Sequence, residues 1–240
     1  MTTIDAQGME HKALNEAIRA AGKECALCGC MGQRFIAAGL RDQTICIDGV
    51  PGNALGAYLN GARIEVHGNA QDAVGDTMND GTIIVHGNIG DTAGYAMRGG
   101  KIYARGNAGY RAGIHMKAYK DKLPVMVIGG CTGSFLGEYQ AGGLIIVLGL
   151  EAGDRPIVSN FPGTGMHGGK MFLRSDCKNI LFPPQVESHI ATEEEKAEIG
   201  DYIAEFADLF GYDAAVLMNE TFTVVTPDSK NPYHQLYVAN

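Results

Sequence analysis

Three apolar runs that each close on a glycine occur in the segment 64–106, which reads IEVHGNAQDAVGDTMNDGTIIVHGNIGDTAGYAMRGGKIYARG. A fourth run of this kind, Ile45-Cys46-Ile47-Asp48-Gly49, precedes them. The closing glycines lie 19 residues apart, and so do the members of a second column, Gly56, Gly75, Gly94 and Gly113. A period this strict predicts a repeat architecture in which each unit adds one coil to a stack.

Each unit carries a short run with the alternation of a β-strand. Ile64 and Val66 share one face, as do Ile83 and Val85 in the next unit. Strands this short bury a core only by stacking in parallel on their neighbours, and the linking segments are too short for crossover helices. The sequence therefore predicts an all-β fold, a right-handed parallel β-helix with coils of about 19 residues.

Stacking places equivalent residues in columns. One column should fill the core (Leu59, Met78, Met97, Met116, Met166), and the polar column beside it should line a corner (Asn60, Asn79, Arg98, Lys117, His167). The outward column becomes apolar in the later coils (Cys46, Glu65, Ile84, Tyr103, Met126, Ile146, Phe172). An apolar strip of this kind is expected to be covered by a terminal segment or by another protein.

The two ends of the chain differ from the repeat. The spacing predicts helices over 9–21 and 192–210, the second with Thr192 and Glu195 as a capping box and Gly211 as its stop. We expect three parts: a cap over 1–31 with a helix and a first strand, the β-helix over 32–180, and a helix with an extended tail over 181–240.

Composition excludes several classes of function. The net charge is −8 without a basic stripe, so no nucleic-acid partner is expected. The sequence has no run of 18 apolar residues, and the stretch Met1 to Gly8 does not resemble a secretory signal. A cytoplasmic location without membrane contact is therefore expected.

Two clusters could bind metal. Cys25, Cys28 and Cys30 have the CxxC spacing of zinc and iron–sulfur ligands, although small buried cysteines of a first strand are the simpler explanation. His67 and His86 stack in adjacent coils, and as a pair they are expected to be exposed corner residues, with Arg105 continuing their column.

Four stretches carry a family resemblance, which covers roughly residues 8–180. They are Gly32-Gln33-Arg34-Phe35-Ile36, Gly109-Tyr110-Arg111-Ala112-Gly113-Ile114-His115-Met116-Lys117, Gly137-Glu138-Tyr139-Gln140-Ala141-Gly142-Gly143 and Gly165-Met166-His167-Gly168-Gly169. They resemble the GXGXG domain, the parallel β-helix that closes the large subunit of glutamate synthase, in its stand-alone form.

The resemblance implies a non-catalytic subunit of an oxidoreductase complex. Its partners would be a glutaminase-type amidotransferase subunit and a subunit with FMN and iron–sulfur clusters, while this chain would carry no catalytic residue and no cofactor. The family-like motif residues Arg111, His115, Lys117, Glu138 and His167 are then expected at a subunit interface. The outward residues Ile84, Tyr103, Met126 and Ile146 are expected to join them.

Alternatives from other classes remain open. One subunit of formylmethanofuran dehydrogenase and one subunit of N-methylglutamate synthase have a similar β-helix. The fold alone therefore does not identify the enzyme complex. A self-associating structural protein is a further possibility. Left-handed β-helix acyltransferases repeat in sixes, which disagrees with a period of 19.

Overall fold

The computed structural model describes residues 1–228, which form one eleven-stranded sheet and three helices. The sheet order is β1-β2-β3-β4-β5-β6-β7-β8-β9-β11-β10. The elements are β1 (Thr2–Asp5), α1 (His11–Ala20), β2 (Glu24–Met31), β3 (Thr44–Val50), β4 (Asn60–Val66), β5 (Asp80–Val85), β6 (Lys101–Ala104), β7 (Val125–Ile128), β8 (Ala141–Val147), β9 (Gly168–Leu173), β10 (Val186–Ile190), α2 (Glu193–Phe210), α3 (Ala214–Met218) and β11 (Thr223–Pro227).

Strands β1 to β9 pair in parallel with their neighbours in sequence, one strand per coil. Ile64 lies opposite Ile45 on one side and opposite Ile83 on the other, so the register equals the 19-residue repeat. The predicted parallel β-helix is thereby confirmed. The core column of Leu59 and the four methionines is fully buried inside the coils, as predicted.

The turns between the strands are also bonded from coil to coil. In one turn Ala54 and Tyr58 have φ of 64° and 57°, and Gly56 between them has 66°. The Ala54 N–H donates to Asp72 O in the next coil at 2.9 Å, and the Gly56 N–H donates to Ile36 O in the preceding coil at 2.8 Å. Left-handed conformations cost L-residues about 1–2 kcal/mol each, which these hydrogen bonds offset.

The prediction for Met126 was wrong. Met126 pairs with Ile102 and Ile145 and lies in the inner core, while Val127 takes the outward position beside Tyr103. The coil lengthens here, because Lys101 pairs with Val125, a step of 24 residues. Two consecutive glycines, Gly129 and Gly130, follow β7, and the Gly130 N–H donates to Gly106 O at 2.8 Å, so Gly130 is the residue equivalent to Gly106. Counting the repeat from Gly129 instead assigns each residue of β7 to the opposite face of the strand.

Helix α2 covers the apolar outer strip. Ile84, Tyr103 and Ile146 have no exposed surface, and they share a cluster with Ile203 and Phe206 of the helix. These three strand residues are thus shielded within the chain, which contradicts their predicted place in an exposed interface. The capping box of Thr192 and Glu195 and the left-handed Gly211 bound the helix as predicted. None of the helices within residues 1–228 is long and apolar enough to cross a membrane.

Helix α1 closes the first end of the stack through Asn15. The Asn15 side chain accepts a hydrogen bond from the Ala37 N–H at 2.9 Å and donates one to Phe35 O at 3.0 Å. Gly56 is the equivalent of Ala37 in the next coil, and its N–H donates to Ile36 O of the coil before it. Ala37 has no such coil before it. A side-chain amide thus replaces the missing coil, while Leu14 and Ile18 complete the core.

The other end of the stack turns antiparallel. β11 pairs with β9 and also with β10, which forms the last edge of the sheet. The strand-like run Thr223-Val224-Val225 of the sequence lies within β11. The extended tail predicted beyond it lies outside the described residues.

A substitution at Gly49 tests how closely the backbones of neighbouring coils approach each other. Its φ is +121°, and a Cβ built there would lie 2.2 Å from Cys30 O. Gly61 has a comparable φ of +126° with nothing within 4 Å, so it is a matched control. We expect Gly61→Ala to lower the free energy of unfolding by about 1–3 kcal/mol through backbone strain. Gly49→Ala should cost roughly 1–3 kcal/mol more through the clash, measured by urea unfolding. Equal losses would contradict the close packing of coils.

Phe206 tests the docking of α2. Its side chain is fully buried against the outer strip. Its ring centroid lies 4.8 Å from that of Phe210 and 5.7 Å from that of Tyr212. Phe206→Ala should therefore destabilise the chain by about 3–5 kcal/mol in urea unfolding. Val216→Ala, at a side chain that is 60% exposed, should change stability by less than about 0.5 kcal/mol. A small effect of Phe206→Ala would mean that the helix does not cover the strip.

Candidate functional site

The family-like motif residues lie together at one corner of successive coils. The Arg111 N–H donates to Ser134 O at 2.9 Å, and the His115 N–H donates to Glu138 O at the same distance. In the next coil the Tyr139 N–H donates to Thr164 O at 2.9 Å, which places the stretch that begins at Gly165 beside the one that begins at Gly137. Coil stacking thus brings residues that are 23 to 25 positions apart in sequence onto one surface, the motif corner, defined as residues 109–117, 134–140 and 160–167.

An ion pair anchors the centre of this corner. Arg111 Nε donates to Glu138 Oε2 at 2.8 Å, and the side chain of Glu138 is only 10% exposed. The Arg111 guanidinium also lies over the Phe135 ring, 5.2 Å from its centroid. Arg111 keeps 48% of its side chain exposed, so the pair holds a cation in a fixed position at the surface.

His115 lies in a stack of aromatic rings. Its imidazole is parallel to the Tyr139 ring at 5.1 Å and meets the Tyr95 ring edge-on at 5.9 Å. Lys117 is exposed two residues further on, and His167 Nδ1 lies 3.1 Å from Gly165 O in the last motif. The five polar residues predicted for an interface therefore occupy three adjacent coils at one corner.

Aromatic side chains project into solvent along the same turns. Phe161, which packs 5.4 Å from Phe135, is 51% exposed, and Tyr110 is 53% exposed. Further exposed rings follow the turns of earlier coils, namely Phe35, Tyr58 and Tyr95. Sequence reasoning missed this row of rings. Counted in steps of 19 residues, Phe35, Tyr58, Tyr95 and Tyr110 fall in four different columns, so these rings do not recur at the repeat period.

Beneath α2, the hydroxyl of the buried Tyr103 has a charged partner. Tyr103 Oη donates to Glu205 Oε2 at 2.6 Å, and Lys101 Nζ bonds to the same carboxylate. Burial, together with the neighbouring Glu205 carboxylate, strongly raises the pKa of Tyr103. Burial opposes ionisation of Glu205 too, yet the hydrogen bonds from Lys101 and Tyr103 keep its pKa below the ordinary value. This contact fixes the helix on the strip and leaves the tyrosine as a structural donor.

The three N-terminal cysteines do not come together, which contradicts the predicted metal site. The pairing of β2 with β3 shifts between Leu27 and Cys30, so a bulge turns Cys30 back into the core where Cys25 also lies. Cys28 points the other way, with its Sγ 3.6 Å from Ile4 O. Regular strand alternation would place Cys28 and Cys30 on one face, and the bulge places them on opposite faces.

A different cluster of metal-binding side chains is present at the strand ends. Glu65, His67 and His86 offer ligand atoms that all lie within 4.8 Å of one another, and they are the one such group found within residues 1–228. His86 Nε2 is 2.9 Å from Glu65 Oε1, and the two imidazole rings stack at 5.1 Å. The stacked histidines were expected. Glu65 was assigned to another column, although Glu65-x-His67 places both residues on one strand face.

Thiol reactivity tests the inward position of the cysteines. Burial raises the pKa of Cys30 to about 11, and it also raises the pKa of Cys25. At pH 8 the thiolate fraction of Cys30 is then about one in a thousand, so both thiols should react with a disulfide reagent only after unfolding. The half-buried Cys28 should react in the folded chain. Mass mapping of labelled peptides checks this, and rapid labelling of Cys25 and Cys30 would contradict the buried placement.

Comparisons with known proteins agree with this architecture. Residues 6–229 match the family described as GXGXG motif. An uncharacterized protein of Methanocaldococcus jannaschii is 45% identical over 248 aligned positions, covering 98% of this chain and 95% of that protein. A chain in the crystal structure of the formyltransferase/hydrolase complex of Methylorubrum extorquens with methylofuran has a similar fold, with a TM-score of 0.66 and 19% identity over 92% of this chain and 89% of that one. The chain belongs to the GXGXG motif family.

Proposed function

We propose that this chain is the non-catalytic scaffold subunit of a glutamate synthase-type complex, which forms glutamate from glutamine and 2-oxoglutarate. Its partners are a glutaminase-type amidotransferase subunit and a subunit that carries FMN and iron–sulfur clusters. The chemistry and the cofactors belong to those partners, and this chain positions them.

The motif corner carries the proposal. Three of the four stretches that resemble the stand-alone glutamate synthase domain meet there, with Arg111 held by Glu138 and His115 held between two tyrosine rings. Arginine and tyrosine are the side chains that dominate binding energy at protein interfaces, above all when they are held in place before binding. The corner therefore has the properties of a docking surface.

The architecture supports a positioning role. Each coil bonds to the next through both strands and turns, so a stack of this kind can hold two partners at a fixed separation. The outer strip is closed by α2, which leaves the turn corners as the exposed surface that repeats along the stack.

The fold likeness to a chain of a formyltransferase/hydrolase complex favours a second candidate, a β-helix subunit of a formylmethanofuran dehydrogenase-type complex. A subunit of N-methylglutamate synthase and a self-associating β-helix are the other candidates. The run from Gly109 to Lys117 favours the glutamate synthase assignment, because it is the most specific part of the resemblance.

Affinity purification from the native organism tests the proposal. We expect an amidotransferase subunit and a yellow-brown flavin and iron–sulfur subunit to co-purify, identified by mass spectrometry and an absorption spectrum. A pterin-containing oxidoreductase would instead support the formylmethanofuran candidate. A colourless protein recovered alone would contradict the scaffold role.

Variants at the motif corner test the surface. Tyr110→Ala within the motif corner, combined with Tyr95→Ala at the ring that meets His115 edge-on, removes two exposed rings. We therefore expect partner binding to weaken by roughly thirty-fold or more while the melting temperature stays unchanged. Val216→Ala, an exposed side chain on α3, is the matched control and should leave binding unchanged. Equal partner recovery with both variants would exclude the corner as the docking surface.

A further inference from the structure

We propose that Glu65, His67 and His86 form a binding site for a divalent transition-metal ion, with Zn²⁺ as the ion that the ligand set fits best. This site is independent of the motif corner and of the scaffold role. It rests on the position of these three side chains where β4 and β5 end.

The repeat itself builds the cluster. Glu65 and His67 are two residues apart on the outward face of one coil, and the His86 N–H donates to Val66 O at 2.9 Å, which places His86 directly beside His67 in the next coil. The two imidazoles stack with an interplanar angle of 30°. The coil register therefore fixes the backbone positions of the two histidines beside each other.

The distances suit a metal with short bonds. Zinc binds imidazole nitrogen at about 2.0–2.1 Å and carboxylate oxygen at about 2.0–2.2 Å, so tetrahedral ligand atoms lie roughly 3.3 Å apart. His86 Nε2 and Glu65 Oε1 are already 2.9 Å apart, and the ligand atoms of all three side chains fall within 4.8 Å. His67 is exposed and can turn its ring to complete the set.

The two oxygens of Glu65 have separate surroundings. Oε2 lies 3.7 Å from Arg63 Nη2, while Oε1 faces His86. Arg63 therefore forms an ion pair with one oxygen of the carboxylate and leaves the other oxygen for an ion. Phe210 packs edge-on against the His86 ring at 5.2 Å, which restricts its rotation from the α2 side.

The chemistry of the donors selects the class of ion. Two imidazoles and one carboxylate suit zinc and other late divalent transition metals, whereas calcium and magnesium prefer sites made of oxygen. With three protein ligands, the fourth position is left for water.

Calorimetric titration of the tag-free, chelator-treated chain with Zn²⁺ tests the site. We expect one Zn²⁺ per chain. Loss of an outer-shell partner already costs about 10–100-fold in metal affinity, so His67→Ala, His86→Asn and Glu65→Gln should each weaken binding by roughly 100-fold or more. Co²⁺ bound at the site should give the visible absorption of a low-coordinate cobalt centre, and His67→Ala should remove it.

Two control variants separate this site from other donors. His189 pairs with Glu195 at 2.8 Å in a similar way without belonging to a group of three within residues 1–228, so His189→Ala should bind Zn²⁺ as the unaltered chain does. Cys28→Ser with Cys46→Ser should also keep full affinity. The proposal is overturned if the unaltered chain binds no Zn²⁺, if His67→Ala binds it equally well, or if the cysteine variant loses it. Should His86→Asn fail to fold, the exposed His67 still carries the test.

Discussion

Backbone hydrogen bonding between coils is the constraint on which the rest of this structure depends. It runs through the strands and continues through the turns, where residues such as Ala54 and Tyr58 hold left-handed conformations. Such conformations are unfavourable for a single residue, and they persist because each one places an N–H opposite a carbonyl of the next coil. Asn15 shows how strict the requirement is, since it supplies the bonds of a coil that does not exist.

The second determinant is the cover over the outer strip. Strands with apolar residues on both faces need two partners, the interior of the coils on one side and α2 on the other. Because the chain supplies this cover itself, the strip is closed to other proteins, and the surface with ordered cationic and aromatic side chains is the motif corner. The surface that remains available to partners is therefore formed by the turns of the solenoid and not by the face of its sheet.

The same stacking that builds the core also assembles the chemistry. Arg111 and Glu138 meet across one coil step, as do His67 and His86. Residues from different repeats become neighbours at hydrogen-bond distance without any loop designed to hold them. A solenoid can in this way carry a docking surface at one corner and a metal-binding cluster at another, each defined by the register alone.

The sequence by itself determined the period, the strand faces of the regular coils and the two ends of α2, because these depend on local spacing and on the capping residues Thr192 and Glu195. The tertiary structure decided between arrangements that local spacing does not distinguish. The sequence does not distinguish Gly129 from Gly130 as the glycine that closes the β7 run. The hydrogen bond from the Gly130 N–H to Gly106 O shows that it is Gly130, which places Met126 in the core. The apolar stripe of α2 did not specify what it covers, and the bulge in β2 separated the cysteines by burial. Glu65 joined the histidines for the same reason, since a contact between coils exists only once their register is fixed.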